Sequence, residues 1–350
     1  MTTGQTELHA AAAAAQLQPR TLRAVTGSIL LTVHGARVLG AFLDGIADNL
    51  LWTNAALAGP DQAREFVMSG GWNLGGDRCW LAPELELHFL DPDHPTHDNY
   101  AVPPGIDPGQ YTIEHEGESG IALASNGRAH NLVSERPFTF LVRHVIQLCP
   151  PPLDPGPLSY VGYEISAALR VTSADRPEAE YGLWHLLQVP AGGAAHVPVR
   201  RAAELVDYFQ TDVARHCTAD EHGVRFPITG RQKQKLGLRG ADVWGLIGYY
   251  RPLAGGLATL IVRQAAVFAG AVYADYPAHA RGRRDIALQF YNDDPTPAGE
   301  PSFGELEYHT PAARRENFFH VRDVSRTWCF GGPAEQVRSV AQYLLGRAAG

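Results

Sequence analysis

The stretch Ser302-Phe-Gly-Glu-Leu-Glu-Tyr-His-Thr-Pro311 carries the strongest signal for fold and chemistry in this sequence. Its alternation of polar and apolar residues predicts a β-strand, in which successive side chains point to opposite faces. Glu305, Glu307 and His309 then share one face, while a Leu and a Tyr share the other. Three ionisable groups on one face are costly to bury without partners. The pattern therefore indicates either a solvated strand near a sheet edge or a site that handles protons.

A second dense segment is Gly71-Trp-Asn-Leu-Gly-Gly-Asp-Arg-Cys-Trp-Leu-Ala-Pro-Glu84. We predict a short loop here, because the adjacent Gly pair permits backbone geometry that other residues resist. Arg78 offers a planar fork of donors, and Trp80 offers a flat apolar face with one N–H donor. Together with Asp77, these residues suit a sugar, whose C–H patches pack on aromatic rings and whose hydroxyls bind charged groups. The alternative is a tight structural turn in which Asp77 and Arg78 cap each other.

Composition restricts the class of protein. The chain has 350 residues, of which 45% are hydrophobic and 19% charged, so it can form a sizeable core. Its formal net charge is −8 and its basic residues are scattered, which argues against nucleic acid as a partner. No apolar run reaches membrane-spanning length, so we expect no membrane partner. We expect a cytoplasmic protein, and the sequence carries no signal for its oligomeric state.

Neither a cofactor nor a metal ion is expected. The four Cys residues show no CxxC pairing, which argues against a zinc site or a disulfide framework. His94, His97 and Asp98 have metal-capable side chains, but they lie in a Pro-rich loop where accidental clustering is the simpler interpretation. The chain contains no Gly-rich phosphate loop and no nucleophile elbow.

Short apolar stretches bounded by turn residues, with 36 Gly and 25 Pro, predict an all-β protein with long loops. Residues 1–24 are predicted to be an N-terminal tail and residues 25–350 a single sandwich domain. A short C-terminal helix is predicted over residues 333–347, because Pro suits its first turn and Val337, Val340 and Leu344 share one face. The predicted strands cover residues 28–33, 37–43, 121–125, 138–147, 162–172, 182–189, 223–228, 245–251, 258–268, 286–292, 304–308 and 325–330.

The sequence resembles the galactose mutarotase-like superfamily, which includes aldose 1-epimerases and uncharacterised bacterial relatives. The likeness rests on four motifs that occur in the family's order, although each is only moderately specific alone. They are Val33-His-Gly-Ala-Arg-Val-Leu-Gly40 with Asp48-Asn-Leu-Leu-Trp52, Gly75-Gly-Asp-Arg-Cys-Trp-Leu-Ala-Pro83, the pair 163–172 and Tyr181-Gly-Leu-Trp-His-Leu-Leu-Gln188, and Gly304-Glu-Leu-Glu-Tyr308.

The resemblance implies a galactose mutarotase-like β-supersandwich with an open cleft for a small-molecule carbohydrate. It also implies a reaction in which a carboxylate removes the proton of the anomeric hydroxyl and a His protonates the ring oxygen. By position, Glu307 would be the base, His185 the acid and Arg78 a clamp on sugar hydroxyls. Lys235, on a strand that resembles a Lys-containing strand of the relatives, and Glu305 would also bind the substrate.

One motif departs from the family's pattern. The family's His sits in an Asn-His-x-Tyr-Phe pattern, whereas this chain has Leu183-Trp-His-Leu-Leu. Strand alternation puts Trp184 and Gln188 on one face and His185 on the other. If Trp184 and Gln188 bind the substrate, His185 points away from the cleft unless a bulge intervenes. His309, two positions beyond the predicted base, is then a substitute for the acid.

The favoured function is an aldose 1-epimerase-like isomerase with a Glu base and a His acid. Two alternatives stay open, a lyase-type carbohydrate enzyme on the same fold and a non-catalytic module that binds or senses carbohydrate. A base and an acid that converge across the cleft would favour the enzymes, whereas aromatic platforms without such a pair would favour the binding module.

Overall fold

The structure is a computed structural model, which describes residues 4–299 and 301–346. Two large antiparallel sheets pack face to face and form a β-sandwich, which confirms the predicted all-β fold. Every predicted strand overlaps an observed one. The predicted C-terminal helix is confirmed as well, and only Arg347, at its predicted end, lies outside the described residues.

The helices and strands follow in chain order. The helices are α1 (Gln5–Ala14), α2 (Pro60–Met68), α3 (Glu84–His88) and α4 (Ala334–Leu345). The strands are β1 (Pro19–Arg23), β2 (Gly27–Thr32), β3 (Arg37–Leu43), β4 (Asp77–Ala82), β5 (Thr112–Gly117), β6 (Gly120–Asn131), β7 (Arg136–Leu148), β8 (Ser159–Ser173), β9 (Gly182–Pro190), β10 (Gly193–Pro198), β11 (Val206–Asp207), β12 (Thr218–Ala219), β13 (Gly223–Ile228), β14 (Gln234–Arg239), β15 (Leu246–Pro252), β16 (Leu257–Gln264), β17 (Ile286–Asn292), β18 (Phe303–His309) and β19 (His320–Pro333).

Strand β18, which carries Glu305, Glu307 and His309, lies in the middle of its sheet. The nine-stranded sheet has the order β1-β2-β3-β4-β9-β18-β17-β14-β11, and the ten-stranded sheet has the order β12-β13-β10-β15-β16-β19-β8-β7-β6-β5. All seven residues of β18 are buried between β9 and β17. The interpretation of Glu305, Glu307 and His309 as a solvated face near a sheet edge is therefore wrong.

Strand β4 was predicted to be part of a loop. Residues Asp77–Ala82 instead form a strand. Every one of them is buried, so neither face shows the polar alternation by which a half-exposed strand is predicted from sequence. The Gly pair before it allows close backbone approach. Gly75 and Gly76 have φ of 95° and 79°, and a Cβ at either position would lie 2.3 Å from a backbone carbonyl oxygen.

Two sets of helices cover outer faces of the sandwich. The apolar face of α4, including Val337 and Val340, packs on the outer face of the ten-stranded sheet. Helices α1 and α2 pack on each other and, through residues such as Leu8 and Ala63, on the outer face of β2 and β3. The predicted tail over residues 1–24 therefore needs a correction, because it contains α1 and also β1, which pairs with β2 along its whole length.

A fully buried ion pair joins the two sheets. Arg263 of β16 donates from Nη2 to both carboxylate oxygens of Asp77, each at 2.8 Å, and neither side chain is exposed. Tyr163 of β8 donates its hydroxyl to the same carboxylate at 2.8 Å. The negative charge on β4 is thus compensated by residues of the opposite sheet, which burial requires.

We expect Asp77→Ala to destabilise the fold strongly, because it leaves the Arg263 guanidinium buried without a counter-charge. The loss should be roughly 3–5 kcal/mol, measured by urea unfolding. Asp61→Ala, which removes the exposed partner of Arg64, should change stability far less. Adding Arg263→Met to Asp77→Ala should recover part of the loss. Equal effects of the two Ala variants, or no recovery in the double variant, would contradict this role.

Candidate functional site

A cleft of about 950 Å³ opens on the outer face of the nine-stranded sheet, beside the part covered by α1 and α2. Its floor is formed where β4, β9 and β18 lie side by side. Four of the predicted site residues line the cleft, namely Arg78, Trp184, Gln188 and Glu305. The structure thus brings together side chains from three strands that are distant in sequence.

The floor is organised around the Glu305 carboxylate. Arg78 donates from Nη2 to Glu305 Oε1 at 3.0 Å, and Gln188 donates from Nε2 to the same oxygen at 2.8 Å. The Arg78 guanidinium also lies 4.4 Å from the ring centroid of Trp80. Burial raises the pKa of Glu305, and the neighbouring Arg78 charge opposes that rise. Trp80 is buried under Arg78 and does not line the cleft, so it supports the floor from below.

A second group of charges lies beside Arg78 and Glu305 on the same face of the sheet, where it is buried. Glu307 accepts a hydrogen bond from Trp184 Nε1 at 2.6 Å and lies 3.3 Å from Lys235 Nζ, both through Oε2. Burial raises the pKa of Glu307 to about 8, although Lys235 acts in the opposite direction. Burial lowers the pKa of Lys235, but the charges of Glu307 and Glu84 outweigh that effect and raise it. Neither Glu307 nor Lys235 lines the cleft.

Glu84, which was not among the predicted site residues, completes this charge cluster. It begins α3, and its side chain lines the cleft while accepting from Lys235 Nζ at 2.9 Å. Its backbone N–H donates to Asp275 Oδ1 at 2.8 Å, which fixes the start of the helix. The sequence held one signal for Glu84, a Pro directly before a run of helix-forming residues, but nothing in it paired Glu84 with Lys235.

The cluster holds more carboxyl groups than cations. Glu84, Glu305 and Glu307 surround the two cations Arg78 and Lys235. Three carboxyl groups, two of them buried, stand beside two positive charges, and this excess of negative charge favours a bound proton. Glu307 is the carboxyl with no exposed surface, and burial raises its pKa to about 8, so it is the member of the cluster that a proton favours most.

His309 is on the same face of the sheet but is buried and does not line the cleft, which does not fit its predicted role as an acid that touches the sugar. Its ring stacks on Trp184 at 5.8 Å between centroids, and both ring nitrogens are buried without a hydrogen-bond partner. Burial, reinforced by Lys235, lowers the pKa of His309 to about 3. The imidazole is therefore neutral at ordinary pH and has no proton of suitable acidity to donate.

Asp77 and His185, both predicted to be site residues, point away from the cleft. The pairing of β9 with β4 and β18 contains no bulge, so the alternation that puts Trp184 in the cleft sends His185 between the sheets. His185 Nε2 lies 3.5 Å from Cys79 Sγ and 3.7 Å from Asp323 Oδ2. Burial, then the Arg263 charge, lowers its pKa well below the usual value. The predictions for Asp77 and His185 are wrong for this physical reason.

Two separate groups of aromatic residues line the cleft. The Trp72 triad comprises Trp72, Phe89 and Tyr100, with Tyr100 lying 5.8 Å from Trp72 and 5.0 Å from Phe89 between ring centroids. The Tyr291 triad comprises Phe209, Tyr291 and Phe303, with Tyr291 lying 6.2 Å from Phe209 and 6.0 Å from Phe303. Most of these residues come from loops or strand ends, where the sequence gives no periodic signal.

Neither a metal site nor a membrane-spanning helix is found among the described residues. No group of three or more His, Cys, Asp or Glu side chains within residues 4–299 and 301–346 is placed to hold a metal ion. Within the same residues, no helix is long and apolar enough to cross a membrane.

The fold is similar to that of solved sugar-epimerase-like structures. A candidate aldose 1-epimerase from Escherichia coli K12 superposes with a TM-score of 0.51 at 11% identity, over 90% of this chain and 98% of the other. The Slr1438 protein from Synechocystis sp. PCC 6803 gives 0.50 at 11% identity, over 90% and 96%. A galactose mutarotase-like protein from Lactobacillus casei gives 0.48 at 10% identity, over 89% and 99%. The chain therefore has the galactose mutarotase-like fold that its motifs predicted.

Sequence comparison is more specific about the family. No curated protein matches the chain significantly in sequence. One family model, described as a family of unknown function (DUF6786), matches residues 28–348. That match spans both sheets and α4, so this chain belongs to the DUF6786 family, a family of unknown function with a mutarotase-like fold.

Proposed function

We propose that this chain binds a sugar or sugar derivative in the cleft and isomerises it at the anomeric carbon. The observation that carries the proposal is the convergence of Arg78, Gln188 and Glu305 on the floor of a cleft that two groups of aromatic residues line. Aromatic faces pack on the C–H patches of a sugar, while guanidinium, amide and carboxylate groups bind its hydroxyls. The fold shared with a candidate aldose 1-epimerase supports the same class of ligand.

Anomeric isomerisation requires two proton transfers. A base removes the proton of the O1 hydroxyl while an acid protonates the ring oxygen, so the C1–O5 bond breaks and an open-chain aldehyde forms. Rotation about C1–C2 and the reverse transfers then close the ring as the other anomer. The groups for these steps must reach the substrate, and three carboxyl residues line the cleft, Glu84, Asp293 and Glu305. The proposal uses Glu84 and Glu305, which belong to the charge cluster at the floor.

The reaction needs one carboxyl that accepts a proton and one that donates a proton, and the environments of Glu84 and Glu305 differ. Glu84 accepts from the Lys235 ammonium, and an ion-paired carboxylate is able to accept the O1 proton. Glu305 is ion-paired with Arg78, but burial raises its pKa, so its protonated form is accessible and donates to the ring oxygen. Glu307, on the same face of β18 as Glu305, lies 3.3 Å from Lys235, and burial raises its pKa to about 8, so it is a second carboxyl of the cluster that favours a proton.

A second candidate function is non-catalytic sugar binding. One observation favours it: neither His185 nor His309 reaches the cleft, so the His acid implied by the family resemblance is missing from the floor. Calorimetry and polarimetry on a panel of aldoses separate the two candidates. Binding without faster mutarotation would favour the binding function, and no binding of any sugar would contradict both.

We expect Glu84→Gln and Glu305→Gln to reduce the mutarotation rate by about 10²–10⁴-fold each, because each removes a proton-transfer group and keeps the shape of the side chain. The measurement is polarimetry of freshly dissolved aldoses from the panel. Glu114→Gln, on an exposed strand of the other sheet, is the matched control and should leave the rate unchanged. A loss confined to Glu307→Gln would instead assign the base to Glu307, as the family resemblance implies.

We also predict that Glu307 is a neutral carboxylic acid at pH 6. Infrared difference spectra should show a protonated carboxyl band that disappears with an apparent pKa of about 8. Because the folded chain retains a proton that an ordinary carboxyl releases near pH 4.5, stability should fall as the pH rises from 4.5 to about 8. In Glu307→Gln the band and this part of the pH dependence should both be absent. A band unaffected by the substitution would contradict the assignment.

A further inference from the structure

We infer that Lys233 and Asp293 bind the hydroxyl groups at C3 and C4 of the sugar and so determine which aldose the cleft accepts. The inference rests on the proposed function and deepens it, because it assigns the end of the cleft that faces away from the reacting carbon. It is carried by the strand register, which puts the two residues opposite each other, and by the lack of an ion-pair partner for either among the described residues.

Lys233 and Asp293 are neighbours across two paired strands. The pairing of β14 with β17 ends at Gln234 and Asn292, so the next residue on each side is Lys233 and Asp293. The backbone N–H of Lys233 donates to Asp294 Oδ1 at 3.0 Å, which keeps the two segments together beyond the last pair. Side chains of directly opposed residues share a face of the sheet, about 5 Å apart at Cβ. Both side chains line the cleft.

The ammonium group of Lys233 is available to a ligand. The side chain is half-buried, yet it makes no ion pair and no hydrogen bond within the described part of the chain. Its Nζ lies 5.7 Å from the ring centroid of Phe209, a contact that uses none of its three N–H donors. The chain's other lysine, Lys235, is in contrast ion-paired with Glu84. A ligand oxygen would satisfy donors that Lys233 otherwise leaves unmatched at the cleft.

Asp293 provides the acceptor beside this donor. Tyr291 donates its hydroxyl to Asp293 Oδ1 at 2.5 Å, and Ser302 donates its hydroxyl to Oδ2 at 2.8 Å. These bonds fix the carboxylate, and each of its oxygens can accept a further hydrogen bond. A sugar hydroxyl both donates and accepts, so it is complementary to a carboxylate and an ammonium held side by side. Because the two charges are opposite, the pair as a unit selects neither an anion nor a cation.

The pair lies one step along the sheet from the proposed acid. Tyr291 of β17 pairs with Glu305 of β18, and Asp293 is two residues further along, where its N–H donates to the carbonyl of Phe303 at 3.0 Å. The Cα atoms of Asp293 and Glu305 are therefore separated by one strand spacing and two residues, roughly 8 Å. That separation suits groups that contact two ends of one sugar ring.

Glu84, the proposed base, lies on the other side of Glu305. The Lys235 ammonium, which pairs with Glu84, is 3.3 Å from Glu307 Oε2. Glu307 is two residues from Glu305 along β18, in the direction opposite to Asp293. The base, the acid and Asp293 thus follow one another along the cleft.

The geometry of a pyranose decides which hydroxyls meet the pair. In the ring, C4 lies opposite C1, and C3 lies opposite the ring oxygen. With O1 at Glu84 and the ring oxygen at Glu305, the C3 and C4 hydroxyls project toward Lys233 and Asp293. These hydroxyls distinguish glucose from its epimers allose and galactose. The pair therefore acts on specificity and not on proton transfer.

The test is isothermal titration calorimetry with glucose, galactose, allose and glucuronic acid, and with the 2-, 3- and 4-deoxy analogues of the aldose that binds best. Lys233→Met and Asp293→Asn should each weaken binding of that aldose by about 10- to 100-fold, the range for a hydrogen bond to a charged group. The deoxy sugar that lacks the contacted hydroxyl should bind wild type and variant equally, whereas the 2-deoxy sugar should keep the full effect. In polarimetry, KM should rise while kcat stays close to the wild-type value.

Arg231→Met and Asp61→Asn are the matched controls. Each removes the same charge as one test variant from an exposed position that does not line the cleft, and neither should change the affinity. If Asp293→Asn lowers the melting temperature by altering its two internal hydrogen bonds, Lys233→Met carries the test.

The outcomes separate this inference from the proposed function. Wild-type binding and mutarotation, with both test variants indistinguishable from their controls, would overturn the inference and leave the proposed function intact. Glucuronic acid that binds more tightly than glucose, with the gain lost in Lys233→Met, would assign Lys233 to a carboxylate and overturn the hydroxyl assignment. No binding of any of these sugars by the wild type would overturn both.

Discussion

The ion pair between Arg78 and Glu305 is the interaction on which the cleft depends. Together with Gln188 it links β4, β9 and β18 across the floor. Both charged side chains are nearly inaccessible, with 3% and 9% of their surfaces exposed. Such charges are tolerated only when they are paired, so the pair favours the arrangement in which β4 and β18 flank β9 and these side chains face the cleft.

Strand β4 connects two charge networks that lie on opposite sides of the sheet. Asp77 points between the sheets and pairs with Arg263, whereas the next residue, Arg78, points into the cleft and pairs with Glu305. The Asp77–Arg263 pair is balanced, but the cleft network has more carboxyls than cations. The inner pair therefore links the two sheets, and the cleft network favours a bound proton on one of its carboxyls.

Alternation along β9 and β18 could be predicted from the sequence, including the opposite orientations of Trp184 and His185. Strand β4 could not, because burial on both faces removes the alternation that marks a strand. Glu84 was missed since its partner Lys235 is 151 residues away, and neither residue alone differs from an ordinary solvated charge. Trp72 and Tyr291 could be proposed for the cleft from the sequence, but the triads as groups could not, because they form only when separate loops meet over the sheet.

The proposed function requires that a sugar binds on the floor formed by β4, β9 and β18. A crystal structure with the best-binding saccharide tests this claim most directly. The account predicts a sugar ring between the two triads, with hydroxyls within hydrogen-bond distance of Glu305 and Glu84, and with Asp77 and His185 out of contact. A sugar bound elsewhere on the protein, with this floor unoccupied, would contradict it.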